Sequence, residues 1–568
     1  MKLKIMSFLV AMLAVVMVLA SCDGPVTPGP DDKPNITPDD KYPWKSADIL
    51  VQLYENSAND ELSSGLKRYY AGEAATYEEI DTLVRDRNTY AEGKTKVKPT
   101  YSYETGFTWG ASVEDIYTDA NSGSANAPDV YCNFAYDMTS CALKGCFANL
   151  LANTDKSSST MPGEGNFFRF AEANYVGTSN DYFDSNAGEG YFYDYMQSLA
   201  FANAQGQYDK LYCLASNYCT DLVRAFLVVP VNINMLETIS VAASTGDVNG
   251  DGKFDLEDFY SDVWAYKWNY DALAKLSLAV YENSSSASAN ADIGDTLGFA
   301  AGKSSGLTGS GILYTTSVKI INKVTKADGT VTYEYPTVNN DLVALSDALA
   351  ALFDVNGGRG ICTIDSEAAK AAGYSKGDLD AIRSRFSEDK VLFGGVIAVG
   401  SLEDEVYQKM NTGKGFGIVP VPLYREGDEY LTLVHNLARI VSIGIGTTEF
   451  AQCTAFLDYQ SRNSAQILEK YYTEDLTAKV EGGAAGEHNK QMLNYIRNHV
   501  RDCFDKTYED VISNYQSKDD KNAMANRWHS ILYLNGYIVS NMDQMYQQYY
   551  SLKQGLLEDV LAEWAALQ

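Results

Sequence analysis

Apolar residues along this chain fall into two kinds of run. Short runs have strand length, longer ones recur every three or four positions, and the two alternate. Asp48-Ile-Leu-Val-Gln-Leu-Tyr54 predicts a buried strand. Between Asn59 and Arg87 charged positions separate apolar ones at helical spacing, which predicts a helix pair, and Val97 to Tyr103 reads as a second strand. Gly106-Phe-Thr-Trp-Gly110 reads as a turn that carries an aromatic ring. Ala127-Pro128 introduces a third strand, Asp129 to Phe134, and Ala135-Tyr136-Asp137 leaves its end for a helical pattern from Met138 to Leu150, broken by Gly145. A helix is expected over Tyr191 to Ala204. Phe226-Leu-Val-Val-Pro-Val-Asn232 is apolar on all sides, as a buried strand or crossover is. From Thr447 the pattern is mostly helical: Phe450 to Tyr459, Lys490 to Phe504 and an amphipathic Tyr546 to Trp564. Ser304 to Gly311 is rich in small residues and reads as a flexible connection; no Lys-Ser/Thr pair closes it as a phosphate loop would. The strand, turn, helix rhythm predicts an α/β fold in which ligands meet the C-terminal ends of strands.

With 568 residues the chain exceeds one core, so two or more domains are expected. Its start has a different character. Lys2 and Lys4 precede an unbroken apolar run of 13 residues, Phe8 to Ala20, too short to span a bilayer comfortably. The run closes on Leu19-Ala20-Ser21-Cys22, which resembles a bacterial lipoprotein signal. The resemblance implies cleavage after residue 21 and acylation of Cys22, leaving the mature chain on the outer face of the cytoplasmic membrane, or in the periplasm of a cell with an outer membrane. Residues 22–43 hold six of the 13 prolines and read as an extended tether, with folding expected from Trp44 onward.

Charge narrows the partners. Against 45 Lys and Arg stand 75 Asp and Glu, a net charge of -30, which argues against electrostatic binding of nucleic acid or an anionic lipid surface. A neutral small molecule or a cation suits that field. The 41 tyrosines supply rings with a polar tip, useful in wet recognition sites, although most must serve as core and half-buried surface. Beyond Cys22 there are eight cysteines: Cys132, Cys141, Cys146, Cys213, Cys219, Cys362, Cys453 and Cys503. Export permits disulfides, with Cys213 and Cys219 the first pair to consider, and buried free thiols are the other reading. No CxxC spacing exists and the chain has only four histidines, which argues against zinc.

The sharpest local motif is Asp247-Val-Asn-Gly-Asp-Gly-Lys-Phe-Asp-Leu-Glu-Asp258. Asp247, Asn249 and Asp251 stand at loop positions 1, 3 and 5, Gly252 at the tight bend, Lys253 at the carbonyl position, Asp255 at 9 and Asp258 at 12, the oxygen spacing of a calcium loop. Asp258 replaces the usual longer Glu. Only the following helix is supported, so a single bracing loop of the dockerin kind, holding a structural Ca²⁺, is expected; a metal-free acidic turn is the alternative.

Pro128-Asp129-Val130 with its following aromatic and Asp137, then Gly145-Cys-Phe-Ala-Asn-Leu150, the crossover into Val231-Asn232, and Gly415-Phe-Gly-Ile-Val-Pro-Val-Pro422 occur in the order found in extracellular solute-binding proteins of ABC importers, especially the sugar-binding group. The chain resembles that family over most of its mature length. The resemblance implies a two-lobed, type II periplasmic-binding-protein-like fold with hinge crossovers and a helix-rich C-terminal part. It implies a first lobe of 44–226 with 390–430, and a second of 227–389 with 431–568. Insertions are expected around Thr154 to Asp181 and Thr325 to Asn339. It also implies capture of a carbohydrate by lobe closure, delivery to ABC permease subunits, a monomeric state and no catalysis. Phe134 and Asp137 match the family's aromatic and aspartate after a first-lobe strand. Glu55, Asn56 and Trp109 are expected to face the same cleft. Lys267-Trp-Asn-Tyr-Asp271 resembles the family's Lys/Arg-Trp-Thr segment, yet burial of Trp268 in its own lobe is the stronger reading. His435, alone, reads as a satisfied hydrogen-bonding residue. A glycan-binding lipoprotein without a transporter and a glycoside-active enzyme are the other classes to weigh. No carboxylate pair stands out from the acidic background to favour the enzyme.

Overall fold

The computed structural model describes residues 36–567 except 40, 57–61, 63–64, 74–77, 108–109, 125, 153–164, 169–189, 285–291, 304–305, 355–357, 359, 411–414, 517–526, 535–536 and 539–540. The signal stretch, Cys22, Trp109 and most of the expected insertion at Thr154 to Asp181 therefore lie outside the described residues.

Two sheets organise the chain. The first is built from β1 (Ala47–Asn56), β2 (Val97–Phe107) and β3 (Val130–Phe134). β1 lies between β2 and β3, parallel to both. All five residues of β3 are buried, as expected of a central strand covered on both faces. The second sheet contains β4 (Leu227–Asn232) and β5 (Leu297–Gly302). After the hairpin of β6 (Asn322–Thr325) and β7 (Val331–Glu334), it continues with β8 (Ile361–Ile364), β9 (Val391–Phe393), β10 (Ile397–Ala398) and β11 (Phe416–Val419). Its order is β10-β4-β9-β5-β8, with β11 also on β4. The chain then returns to the first sheet as β12 (Arg439–Ile443), antiparallel to β3. Each lobe is α/β, and the chain crosses between them twice before its C-terminal helices begin.

Helices close over both sheets. Those that matter below are α1 (Glu79–Thr95), α2 (Ala111–Asn121), α3 (Ala135–Leu143), α4 (Leu256–Trp264), α5 (Tyr270–Val280), α6 (Gly306–Tyr314), α7 (Asn340–Asp354), α8 (Phe450–Arg462), α9 (Gly486–Asn498), α10 (Phe504–Gln516), α11 (Trp528–Leu532) and α12 (Met542–Ala566). The chain turns out of α3 at Gly145, whose φ of 72° suits glycine. The small-residue stretch expected to be a flexible connection is instead α6, buried from Leu307 to Tyr314. Lack of side chains lets it pack closely: a Cβ on Gly311 would meet Val396 at 2.8 Å, and one on Gly309 would meet the His529 carbonyl at 3.2 Å.

Several boundaries are corrected. Residues 390–430 belong with the second lobe, because Phe416 to Val419 pair with Asn232 to Val229. Arg439 to Ile443 belong with the first, through Phe134 to Val130. Phe416 to Val419 has no polar side chain and Arg439 to Ile443 alternates Ile440, Val441 and Ile443 with only two polar residues, which marks a buried strand without naming its neighbour. The C-terminal helices are also divided. Gln460 of α8 donates to Asn88 of α1 at 3.0 Å, whereas Asn489 of α9 donates to the Phe416 carbonyl at 2.9 Å. Finally, the tether ends before residue 43: Tyr42 is buried, stacked 5.4 Å from Trp44, and the Asp39 amide donates to the Lys94 carbonyl at 3.0 Å. The helix expected over Tyr191 to Ala204 is shorter, Tyr193–Ser198.

A buried ionic pin ties the two crossings together. Arg224 immediately precedes the strand pairing of β4 and Arg439 opens β12. Both reach Asp221, at 2.7 and 2.9 Å, and both donate to the Leu62 carbonyl, at 3.1 and 3.3 Å. Arg224 also pairs with Glu403 at 3.2 Å, and Tyr471 donates to the same carboxylate at 2.6 Å. Burial pushes the Glu403 carboxyl up, but Arg224 outweighs it and holds the group below its ordinary range. All eight described cysteines are free and buried, Cys213 and Cys219 included.

Candidate ligand site between the lobes

The residues expected to face a cleft are placed differently from one another. Asp137, on the first turn of α3, is buried and fully engaged: it accepts from the Gly110 amide at 3.1 Å, from Ser112 Oγ, and from Asn133 Nδ2 at 3.4 Å. Burial pushes its carboxyl up to about 6, against those hydrogen bonds. It ties α2 to β3 rather than offering oxygens to a ligand, a correction to the carried-over role. Phe134 is likewise buried, its ring 4.7 Å from the Arg439 guanidinium. Trp268 sits in the core of the second lobe, its indole donating to the Pro420 carbonyl at 2.9 Å and its ring 4.9 Å from Phe393. Glu55 is half-buried at the end of β1, and Asn56 closes that strand.

What stands between the lobes is a cluster the sequence did not announce. Every residue from Cys503 to Ser513 is buried, although α10 carries Asp505, Lys506, Glu509 and Asp510 in two turns. Such a helix reads from sequence as a solvated surface element. In the fold it is the wedge between α3 of the first lobe and α6 of the second.

Asp510 is the hub. It accepts from Lys506 Nζ and from Asn436 Nδ2, and Arg527 Nε lies 3.2 Å from its other oxygen. Burial raises this carboxyl, but Arg527 and Lys506 outweigh burial and hold it below its ordinary range. Arg527 turns its other end to the first lobe, donating to the Tyr136 hydroxyl at 3.0 Å with its guanidinium 5.1 Å from that ring. The preceding residue, Glu509, accepts from the Trp528 amide at 3.2 Å, from Lys553 Nζ at 2.9 Å and from the Tyr335 hydroxyl. His435 accepts from the Leu437 amide through Nδ1 at 3.2 Å, so its proton stands on Nε2. Burial drives both His435 and His529 well below the ordinary histidine value, with Lys506 adding to the effect, so both are neutral at pH 7.

Several polar atoms of this cluster are buried without a hydrogen-bond partner: Ser310 Oγ and Tyr314 OH on α6, Asn436 Oδ1 on the crossing into β12, and His529 Nδ1 on α11. They come from the second lobe, from the crossing into the first and from the C-terminal helices. Hydroxyl, amide and imidazole groups around charged pairs can exchange hydrogen bonds with a polyhydroxylated molecule. Tyr136 adjoins the predicted Asp137, and His435 was noted as a satisfied residue. The remaining members had no sequence signal that separates them from an ordinary charged helix.

The acidic loop keeps its shape through its own side chains. Asp247 accepts from the amides of Gly250 at 2.6 Å, Asp251 at 3.1 Å and Gly252 at 2.8 Å. Asn249 and Asp251 each accept from the amide two residues on, both at 2.9 Å. Asp258 accepts from Val248 at 2.8 Å and closes a reciprocal cap with Asp255 at the start of α4. Lys253 adjoins them, with Gly252 at φ 86° making the bend. Among the described residues no group of three or more His, Cys, Asp and Glu side chains stands where it could hold a metal ion.

No protein-family model matches the sequence, and no curated protein does. Solved structures give matches. One is the galacto-N-biose-/lacto-N-biose I-binding protein of an ABC transporter from Bifidobacterium longum in complex with lacto-N-biose, at 10% identity over 92% of this chain and 98% of that one, with a TM-score of 0.46. Another is an ABC substrate-binding protein from Listeria monocytogenes in complex with cycloalternan, at 10% identity, 91% and 99% coverage and a TM-score of 0.45. A third is the maltose/maltodextrin-binding domain from Bdellovibrio bacteriovorus bound to maltotriose, at 10% identity, 91% and 100% coverage and a TM-score of 0.44. The two-lobed α/β architecture expected from the sequence is present in this chain's own topology.

Proposed function

We propose that this chain is a lipid-anchored extracellular solute-binding protein that captures a carbohydrate between its lobes and passes it to the permease of an ABC importer. One observation carries the reading: Ser310 and Tyr314 of the second lobe, Asn436 on the crossing into the first and His529 of a C-terminal helix all bury polar atoms that have no hydrogen-bond partner. Each such atom costs about 1–3 kcal/mol while unsatisfied, and a hydroxyl-rich guest that bridges them removes the cost only when the lobes stand together. The twice-crossed connection between the lobes supports closure as the means of capture. Anchoring rests on the resemblance of Leu19 to Cys22 to a lipoprotein signal, and delivery to a permease on the family resemblance.

Small-angle scattering of the mature protein with and without a panel of oligosaccharides tests the reading, preceded by a thermal-shift screen to find the ligand. A ligand that raises the melting temperature and contracts the particle is expected. Binding with unchanged dimensions would favour a surface glycan-binding lipoprotein, and turnover of the glycan would favour an enzyme. Loss of binding in Tyr314→Phe together with Asn436→Ala would place the ligand at the unpaired atoms.

A further inference from the structure

The chain leaves α3 through Cys141-Ala-Leu-Lys-Gly-Cys146. The helix closes with the two hydrogen bonds of a Schellman motif: the Gly145 amide donates to the Ala142 carbonyl at 2.9 Å, and the Cys146 amide to the Cys141 carbonyl at 3.1 Å. Gly145, at φ 72°, makes the left-handed bend inside it. The motif folds the side chain after the glycine back onto one in the last turn of the helix, a contact that apolar residues ordinarily fill. Here both are cysteines.

They stand as free thiols in this structure, fully buried and hydrogen-bonded to each other. Cys213 and Cys219 turn instead to the Ser442 hydroxyl and the Leu214 carbonyl, each at 3.6 Å. A disulfide needs side chains that converge across a short gap, and two thiols in mutual contact on a pinned backbone meet that requirement. The Cys146 carbonyl also accepts from the Ile445 amide at 2.9 Å, just past β12, so this end of α3 is tied to the returning strand. The other end carries Tyr136, which takes the hydrogen bond from Arg527.

We propose that Cys141 and Cys146 are a redox site that closes to a disulfide when the chain folds outside the cytoplasm. The oxidising compartment rests on the reading of an exported lipoprotein, whereas the pairing rests on the end of α3 alone. One cysteine thiolate attacks the disulfide of an external oxidant such as oxidised glutathione and expels one glutathione thiolate. The second cysteine thiolate then displaces the other glutathione. Together the cysteines give up two protons and two electrons, and the oxidant leaves as two thiols. Burial pushes the Cys141 thiol well up, and Cys146 adds to the effect, so the attacking thiolate is scarce once α3 is covered. The bond therefore forms during folding, and it staples the end of the helix whose first turn meets the wedge between the lobes.

Thiol counting on the full mature chain with Cys22→Ser, which retains eight cysteines, tests this. Reduced, unfolded protein is refolded in a series of reduced and oxidised glutathione mixtures, quenched in acid, denatured and alkylated, and its peptides are read by mass spectrometry. Two of the eight thiols should be lost, both from the peptide that spans Cys141 and Cys146, which becomes lighter by two hydrogens. The equilibrium constant for that bond should be at least about tenfold larger in the folded chain than in the same chain held in guanidinium, because the motif orients both sulfurs in advance. Oxidised glutathione added after folding should form the bond at least about tenfold more slowly than during folding. Eight alkylated thiols after refolding in the most oxidising mixture, a bond at another pair in place of this one, or equal constants in the folded and denatured chains overturns the assignment.

Discussion

Asp510 is where the wedge between the lobes can be tested most sharply. Asp510→Asn keeps the size of the side chain and an acceptor for the Asn436 amide, but leaves Lys506 and Arg527 buried without their carboxylate. Breaking one partner of a buried pair costs about 3–5 kcal/mol. The geometry also sets a ceiling. Arg527 cannot shed its proton, whereas Lys506 can. Starting from an ordinary value of 10.5, its deprotonation at pH 7 costs about 1.36 × 3.5, or about 5 kcal/mol. Once the charge costs more than this, the lysine is neutral in the folded variant, and the penalty falls by about 1.4 kcal/mol for each pH unit above neutrality. Urea unfolding of wild type and variant at pH 7 and pH 9 therefore has a defined outcome: a loss of about 3–5 kcal/mol at neutrality that falls to about 2 kcal/mol at the higher pH, where deprotonating Lys506 costs only about 1.36 × 1.5. Replacing both members, Lys506→Met with Asp510→Leu, should cost less than Asp510→Asn alone. A neutral-pH loss under about 1 kcal/mol, or one that ignores pH, would refute the reasoning.

Other outcomes follow from the same contacts. Arg439→Met strips the hinge pin of a cation shared with Asp221 and leaves the Tyr54 and Leu62 carbonyls short of a donor; denaturant titration should show a loss of about 3–5 kcal/mol, and Arg439→Lys should not restore it, because an ammonium cannot span the same set. Acid should weaken the fold through His435 and His529. Their folded values lie below that of the unfolded chain, so their contribution is complete above about pH 6.5 and is lost as pH falls toward the folded values, at up to about 1.4 kcal/mol per unit for each. Asp137, raised to about 6, works the other way between that value and its unfolded one, gaining its proton in the folded state first. The net slope of stability between pH 6.5 and pH 5 is thus toward loss, and His435→Asn should flatten it. Asp258→Ala removes acceptors from three loop amides, at Val248, Asn249 and Asp255; denaturant titration should show a loss of about 1–2 kcal/mol.

How far the sequence carries is clearest at particular elements. β1, β2, β3 and β4 lie within a few residues of their expected positions; β3 and β4 are buried along their whole length and need an apolar run, and such runs are local facts. The start of α5 at Asn269 is equally local, a side chain that accepts from the Ala272 amide at 3.0 Å. α6 was missed since glycine and serine look like loop formers until a neighbouring surface, here Val396 and His529, rewards their small size.

Sequence alone determined the first four strands, the α/β character and the acidic balance, all of which follow from short-range periodicity and composition. It also supplied the lipoprotein-like start as an expectation. Only the tertiary structure decided which sheet receives Phe416 to Val419 and which receives Arg439 to Ile443, since apolar strands state that they are buried but not beside whom. It alone decided that the charges of α10 lie inside. A charged stripe on a helix is solvated or buried according to what packs against it, and the partners of Asp510 stand 74 residues upstream at Asn436 as well as one turn away at Lys506. Contacts across such distances leave no mark in local pattern, because their free energy is set only once both lobes are in place.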